Sequence, residues 1–385
     1  VASLVYVPAP RTWSAGDVVK APYLRSDVSG AIQLLSRPPM FLGSQTSTAQ
    51  TVGDSAYVAV EMDTEAYDNF GGHEVSVQNG AYYGMFPGWY LVQCSIPLNS
   101  SSTSKATGAA VGGVQNGGSL SYFGGQLLAD SSTAAIGTVA AKLMKMQQTG
   151  TFHGAANDYI VAAAFQDSGI PQPLLNAAAK YPLISVRWVC ALSGTQPLPV
   201  PANPAWPAPP ALATHAWANA NIRDTVSFLV YPPVMEYSRA SASGSLASQS
   251  SVPAVGTTVA LDTMVVDNYG AFDNGTNTWT VPVAGVYWCY GVLAGEAGAG
   301  TVTLGAGLTV TSANYNGGTQ ITLWGGTAVP SAVSPAANVV RRRLRLSAGD
   351  TILLAGVQND SGGAAFSYAG SAQFQCRLIT VWESA

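Results

Sequence analysis

Two hydrophobic rhythms alternate along this chain. Stretches such as Tyr57-Val58-Ala59-Val60, Trp89-Tyr90-Leu91-Val92, Ile352-Leu353-Leu354 and Arg377-Leu378-Ile379-Thr380-Val381-Trp382 are short and rich in β-branched and aromatic residues. They read as strands bounded by turn residues. Asn79-Gly80 and Asn274-Gly275 are hairpin-grade turns, as are the Gly-Gly pairs after Asn116 and Asn316. Many short strands so punctuated indicate an all-β sandwich or jelly roll. A second rhythm, with a period near four, occurs only ahead of the strands. Leu24, Val28, Ile32 and Leu35 follow it, with Pro22 suited to a first helical turn and Pro38-Pro39 closing it. Ile222, Val226 and Leu229 repeat the pattern after Thr214, an N-cap residue, and Pro232-Pro233 stops it. The apolar stretch from Thr133 to Met146 is read as a loop feeding a strand.

The pattern occurs twice. Asp68-Asn69-Phe70-Gly71 recurs as Asp267-Asn268-Tyr269-Gly270, about 200 residues further on. Gly88-Trp89-Tyr90 recurs as Gly285-Val286-Tyr287, Asn116-Gly117-Gly118 as Asn316-Gly317-Gly318, and Asp167-Ser168-Gly169 as Asp360-Ser361-Gly362. A strand ending in Trp188 matches one ending in Trp382. The organisation expected is a docking segment with a short helix over 1–41, a first jelly roll over 42–192, a Pro-rich linker with a second short helix over 193–233, and a second jelly roll over 234–385. Seven prolines between Pro197 and Pro210 stiffen the linker toward polyproline II. A spacer holding the two jelly rolls apart is therefore expected.

Composition narrows the function. Only 9% of the 385 residues are charged, against roughly 25% in an ordinary soluble domain. So neutral a chain is expected to bury much of its surface against other subunits. A formal net charge of −4 speaks against nucleic acid as a partner. The basic run Arg341-Arg342-Arg343-Leu344-Arg345 is read as a solvated or inter-subunit face of a strand. No apolar run spans a bilayer, so no membrane insertion is expected. Val1 to Pro8 lacks a basic leader and a cleavage site, which suggests synthesis in a cytoplasm. The cysteines fall two per repeat, Cys94 with Cys190 and Cys289 with Cys376. Cytoplasmic synthesis favours buried free thiols, while a disulfide in each copy stays open if the strands are neighbours.

In the second copy, Asp267-Asn268-Tyr269-Gly270, then Trp279-Thr280-Val281-Pro282-Val283-Ala284-Gly285-Val286-Tyr287, then Leu344-Arg345-Leu346-Ser347-Ala348-Gly349-Asp350-Thr351-Ile352 resemble the complement-type globular head of the tumour-necrosis-factor-like superfamily. The first copy departs from the pattern. Phe86-Pro87-Gly88-Trp89-Tyr90 shortens its second element, and Ala156-Asn157-Asp158-Tyr159 replaces its Gly-Asp turn. The resemblance implies ten-stranded jelly rolls that assemble as a homotrimer. The opening Arg11-Thr12-Trp13-Ser14-Ala15-Gly16-Asp17-Val18-Val19, with its helix and Pro-Pro, looks like the start of structural proteins from tailed phages of actinobacteria. Ala220-Asn221-Ile222-Arg223-Asp224 looks like the helix portion of that start. This second resemblance implies a virion surface protein, a minor tail protein or tail fibre or spike. Its partners would be other phage tail or capsid proteins, with host-surface glycan contact open. A capsid decoration protein or head fibre is the alternative.

No catalytic, cofactor-binding or metal-ligating set is assigned, and the chain is read as non-enzymatic. His73 is expected to pack at a strand edge; His153 and His215 stand near a turn and a helix start. Asp63 with Glu65, or Asp262 with Asp267, would be the acid pairs of a glycan-cleaving tail spike, but strand-edge acids near turns are commoner. The Asp-Ser-Gly turns are read as turn chemistry rather than calcium sites. Tyr82, Tyr83, Tyr122, Phe123, Trp206, Tyr315 and Trp324 lie in Gly/Asn/Ser-rich surroundings. A lectin-like adhesin would use them on loops; core filling or subunit contact is the reading preferred.

Overall fold

The fold follows from the repeat. A computed structural model describes residues 12–15, 17, 28, 30–46, 50–73, 80–84, 86–98, 107–114, 119–128, 136–147, 158–166, 168–174, 181–192, 215–239, 244–246, 255–295, 302–328, 336–360, 366–368 and 372–381. In the first copy one antiparallel sheet runs β4 (Thr64–Asp68), β1 (Met40–Ser44), β12 (Leu183–Cys190), β6 (Gly88–Leu98) and β9 (Ile136–Met146). A second runs β3 (Ala56–Ala59), β10 (Tyr159–Gln166), β7 (Thr107–Val114) and β8 (Ser121–Leu128), with β5 (Ala81–Tyr83) also on β10. A ribbon of β2 (Thr51–Val52) and β11 (Gln172–Pro173) closes one end.

The second copy repeats this order. One sheet is β16 (Thr263–Asp267), β13 (Val234–Ser238), β25 (Gln373–Val381), β19 (Gly285–Gly295) and β22 (Ala336–Leu346). The other is β17 (Phe272–Asp273), β18 (Thr278–Thr280), β23 (Thr351–Asp360), β20 (Val302–Thr311) and β21 (Ile321–Ala328), with β15 (Thr257–Thr258) on β23. Here the ribbon is β14 (Gly244–Leu246) with β24 (Phe366–Tyr368). The chain is thus an all-β protein of two jelly-roll sandwiches. The stretch before Met146 is strand from Ile136 onward, longer than its apolar composition suggested, because it pairs along the whole of β6.

Each sandwich encloses one core, as the period-2 pattern requires. On β6, Tyr90, Val92, Cys94, Ile96 and Leu98 point inward; on β12, Ile184, Val186 and Trp188 meet them. Tyr287, Cys289, Leu293, Phe374 and Cys376 play these parts in the second core. The repeated motifs prove to be the corners of the sandwich. Asn69 accepts from the Met40 N–H (2.8 Å) and donates to the Pro38 carbonyl (2.7 Å). Asn268 does the same with the Val234 N–H (2.8 Å) and the Pro232 carbonyl (2.6 Å). One side chain therefore ties the Pro-Pro break to the strand that follows, which is why the two motifs recur together. In the Gly-x-Tyr motif, the Tyr90 hydroxyl donates to the Phe86 carbonyl (2.9 Å) and that of Tyr287 to the Val283 carbonyl (2.6 Å). A Cβ on Gly88 would collide with Trp188. The shared third corner is a carboxylate accepting a backbone N–H, Asp158 from Gln147 (2.6 Å) and Asp350 from Ser347 (2.7 Å). It survives although the first copy lacks the Gly-Asp turn.

Gly71 and Gly270 end their motifs at φ of 66° and 60°, where a Cβ costs roughly 1–2 kcal/mol. Gly270→Ala should lower stability by about that much with the sandwich otherwise intact. Urea unfolding followed by tryptophan fluorescence measures it; an unchanged midpoint would show the turn relaxing.

The lead-ins are helical; Val28, Leu35 and Val226 of the period-four reading pack on the core, whereas Ile32 and Leu229 do not. In α1 (Gly30–Ser36) it is Ala31 and Leu34 that are fully buried, and Ile32 is 55% exposed. Leu24 lies outside the described residues. The second lead-in is α2 (His215–Ala218), a π-helical segment Asn219–Arg223, and α3 (Asp224–Val230). Val226, Phe228 and Val230 are buried, whereas Leu229 is 40% exposed. The π segment shifts the register, so a straight period misplaces Leu229. Val226 and Val230 join the core of the first copy, not the second. Asn219 clasps Trp13 through both backbone groups, accepting from its N–H (2.7 Å) and donating to its carbonyl (2.8 Å). The two lead-ins are thus one structure.

Candidate assembly interface

The spacer expected from the Pro-rich segment does not separate the jelly rolls; they touch. That segment lies outside the described residues, but the sheets on either side of it meet directly. Trp89, Leu91, Leu143 and Cys190, on the outward side of the first five-stranded sheet and its β9 edge, pack against Val234 and Val266 on the outward side of the second. Trp89, Leu91 and Leu143 alternate with core residues of their strands, and Cys190 reaches this face through the register shift after Trp188, so the sheet is apolar on both faces where it is covered.

At the middle of the contact lies Glu236 on β13, fully buried. Its carboxylate accepts from the Leu143 N–H across the interface (3.0 Å) and from the side-chain amides of Gln373 and Gln375 (2.7 Å each). Lys142 of the first copy brings its ammonium to 3.5 Å. Burial pushes the Glu236 pKa up; the Lys142 charge and the hydrogen bonds oppose that. Buried charge survives when it is paired and fully hydrogen-bonded, and Glu236 meets both conditions only while the two jelly rolls are in contact.

The same face of the first copy is uncovered. By strand register, Leu42, Tyr67 and Leu183 occupy the positions of Glu236, Val266 and Gln373. They are 39%, 43% and 38% exposed. Conversely, the second copy carries its own β22 edge, with Arg341 and Arg343 exposed, at the place where the first copy uses β9.

The residues weighed for chemistry fall elsewhere. The His73 ring stacks on Phe41 (centroids 4.7 Å apart), with Nδ1 2.8 Å from Glu65 Oε1. Asp63 accepts from the Thr46 N–H and hydroxyl, Asp262 from the Thr263 hydroxyl, and Asp267 from the Phe272 N–H. These acids serve turns and strand ends rather than facing one another across a cleft. His153, Asp167, Trp206 and the Ser361-Gly362 turn lie outside the described residues, and of Phe123 only the strand position is described. Tyr82 and Tyr83 are buried, Tyr122 stacks on Tyr57 (4.9 Å), and the Tyr315 hydroxyl accepts from the Arg345 N–H (2.9 Å). Trp324 lies against Gly256 and Gly307. All four cysteines are free and buried. Cys289 and Cys376 stand opposite each other in register. Cys94 and Cys190 do not, since they face Ile184 and Trp89. Among the described residues, no group of His, Cys, Asp or Glu is arranged to hold a metal ion, and no helix is long and apolar enough to cross a membrane.

Glu236 is the residue that sequence reasoning missed. Its signal was a lone acid in the apolar strand Val234–Ser238 where the first copy has Leu42.

No family model matches the chain, and no curated protein matches it. Among solved structures, the globular domain of the zebrafish complement 1qA protein is similar at 20% identity and a TM-score of 0.30, covering 39% of this chain and 99% of that one. Murine APRIL is similar at 13% identity and a TM-score of 0.29, covering 39% and 98%. Eiger TNF from S. frugiperda is similar at 13% and 0.29, covering 40% and 95%.

Proposed function

We propose that this chain is a non-enzymatic assembly protein whose jelly rolls join edge to face, closing as a homotrimer on the surface of a phage virion. The observation that carries the assembly reading is the uncovered Leu42–Tyr67–Leu183 face, because its duplicate on the second copy is the face that the first copy covers. The contact is heterologous, an edge against a face; the first copy keeps its Leu42–Tyr67–Leu183 face open, and β22, which touches β8 of the first copy, keeps Arg341 and Arg343 exposed. A second copy of the chain, presenting its β22 edge, is the occupant that repeats the contact already made. Low charge suits surfaces destined for burial in such an assembly. Closure at three chains rests on the resemblance of the Asp267–Gly270, Gly285–Tyr287 and Gly349–Asp350 motifs to trimeric heads. The phage virion, as a minor tail protein, tail fibre or spike, rests on the resemblance of the opening segment, and a capsid decoration protein or head fibre is the alternative position.

Light scattering on the purified chain tests the assembly. The wild type should have the mass of three chains, and Leu42→Glu combined with Tyr67→Glu should shift it to one chain with unchanged circular dichroism. A wild type that stays a single chain would rule the reading out. Imaging of labelled phage particles would separate tail from capsid.

A further inference from the structure

Three arginines gather where the two jelly rolls meet, and among the described residues none of them is paired with a carboxylate. Arg343 on β22 and Arg377 on β25 both stand opposite Trp288 of β19, so the three side chains share the outward face of one sheet. The Arg377 guanidinium lies over the indole, 5.4 Å from the ring centroid, and Tyr290 stacks beside it at 5.6 Å with ring planes 3° apart. Arg187 comes from β12 of the first copy, opposite Met40 and Leu91. That is the position Arg377 holds opposite Val234 and Trp288. The charges of Arg187 and Arg343 both reach Arg377, and with burial they lower its pKa to about 10.

Like charges brought together at a partly desolvated surface are unfavourable unless something neutralises them. The Nε of Arg377 is buried and has no hydrogen-bond partner among the described residues. Among the described residues the carboxylate at this interface is Glu236, and it is occupied by Lys142, Leu143, Gln373 and Gln375. Guanidinium forks present several N–H donors in a plane and match oxyanions bidentately. The stacked Trp288 supplies an apolar floor that fixes one fork. We infer that Arg187, Arg343 and Arg377 form a binding site for a phosphate-class oxyanion, held between the two jelly rolls of one chain. The ligand is either the free ion or a phosphate group carried on a larger molecule. All three side chains belong to one chain, but Arg343 lies on the β22 edge that the proposed assembly covers, so the titration is run on the Leu42→Glu/Tyr67→Glu variant as well as on the wild type.

Calorimetric titration of the full chain with inorganic phosphate, against potassium chloride at matched ionic strength, tests this. Saturable binding of one phosphate per chain is expected. Arg343→Gln and Arg187→Gln, both at exposed positions, should each weaken it at least tenfold (about 1.4 kcal/mol). Arg377→Met should abolish it; if that variant fails to fold, the two exposed variants decide. Glycerol 3-phosphate in a second arm separates the sources: binding as tight as phosphate indicates a carried group, and loss of binding indicates an enclosed free ion. No saturable heat, the same response to chloride, or wild-type affinity in both glutamine variants would overturn the inference.

Discussion

Glu236→Ala is expected to cost about 3–5 kcal/mol of stability, the range for breaking a buried charged pair from one side. The loss has two parts. The Leu143 N–H and the amides of Gln373 and Gln375 lose their acceptor, and the Lys142 ammonium, with 14% of its side chain exposed, loses its counter-charge. Because Leu143 and Lys142 belong to the first jelly roll, the loss falls on the contact between the two. Urea unfolding should change from one transition to two as the jelly rolls uncouple. A single transition at the wild-type midpoint would show that Glu236 does not hold them together. Glu236→Gln isolates the charge. Burial raises the Glu236 pKa above its ordinary 4.5, so the folded state favours the protonated acid. The linked stability is fully present below about 4.5 and is lost as pH rises through the folded-state value. The midpoint difference between wild type and Glu236→Gln should therefore move against the wild type with rising pH and then level off. A flat difference would contradict the raised pKa.

Tyr287→Ala should be comparably damaging, at about 3–5 kcal/mol, the range for removing a large aromatic from a core. Tyr287 is fully buried, meets the Trp279 ring edge-on at 5.4 Å, and closes the corner through its bond to Val283. Tyr287→Phe keeps the ring and loses only the hydroxyl, so about 1 kcal/mol is expected. The same pair at Tyr90 should give the same ratio, because Tyr90 makes the equivalent bond to Phe86. Thermal or urea unfolding of the four variants measures it. Equal losses for Phe and Ala would mean that the hydroxyl, not the ring, carries the corner.

What was legible in the sequence was what repeats locally. Asp-Asn-aromatic-Gly, Gly-x-Tyr and Pro-Pro each act within a few residues or tie neighbouring strands, and both copies show them. The two sandwiches followed from alternation and turn residues. Less was legible where the decisive partner is far away. Glu236 meets Leu143 and Lys142 from the other copy, and no periodicity links them. Proline content suggested separation because it reports on the linker's stiffness, not on what the joined surfaces do. In the lead-in helices the averaged period places Val28, Leu35 and Val226 on the core but misplaces Ile32 and Leu229, because the tertiary contacts of Ala31, Leu34 and Val230 decide the rest.

The position of α3 has a consequence for how this chain can be divided. By descent it is the prelude to the second half, yet Val226 and Val230 complete the interior of the first. The inherited unit and the folding unit are therefore out of phase by one helix. Cutting at the repeat boundary would open a gap in the upstream half, and a cut that respects the physics falls after Val230, at the Pro232-Pro233 break.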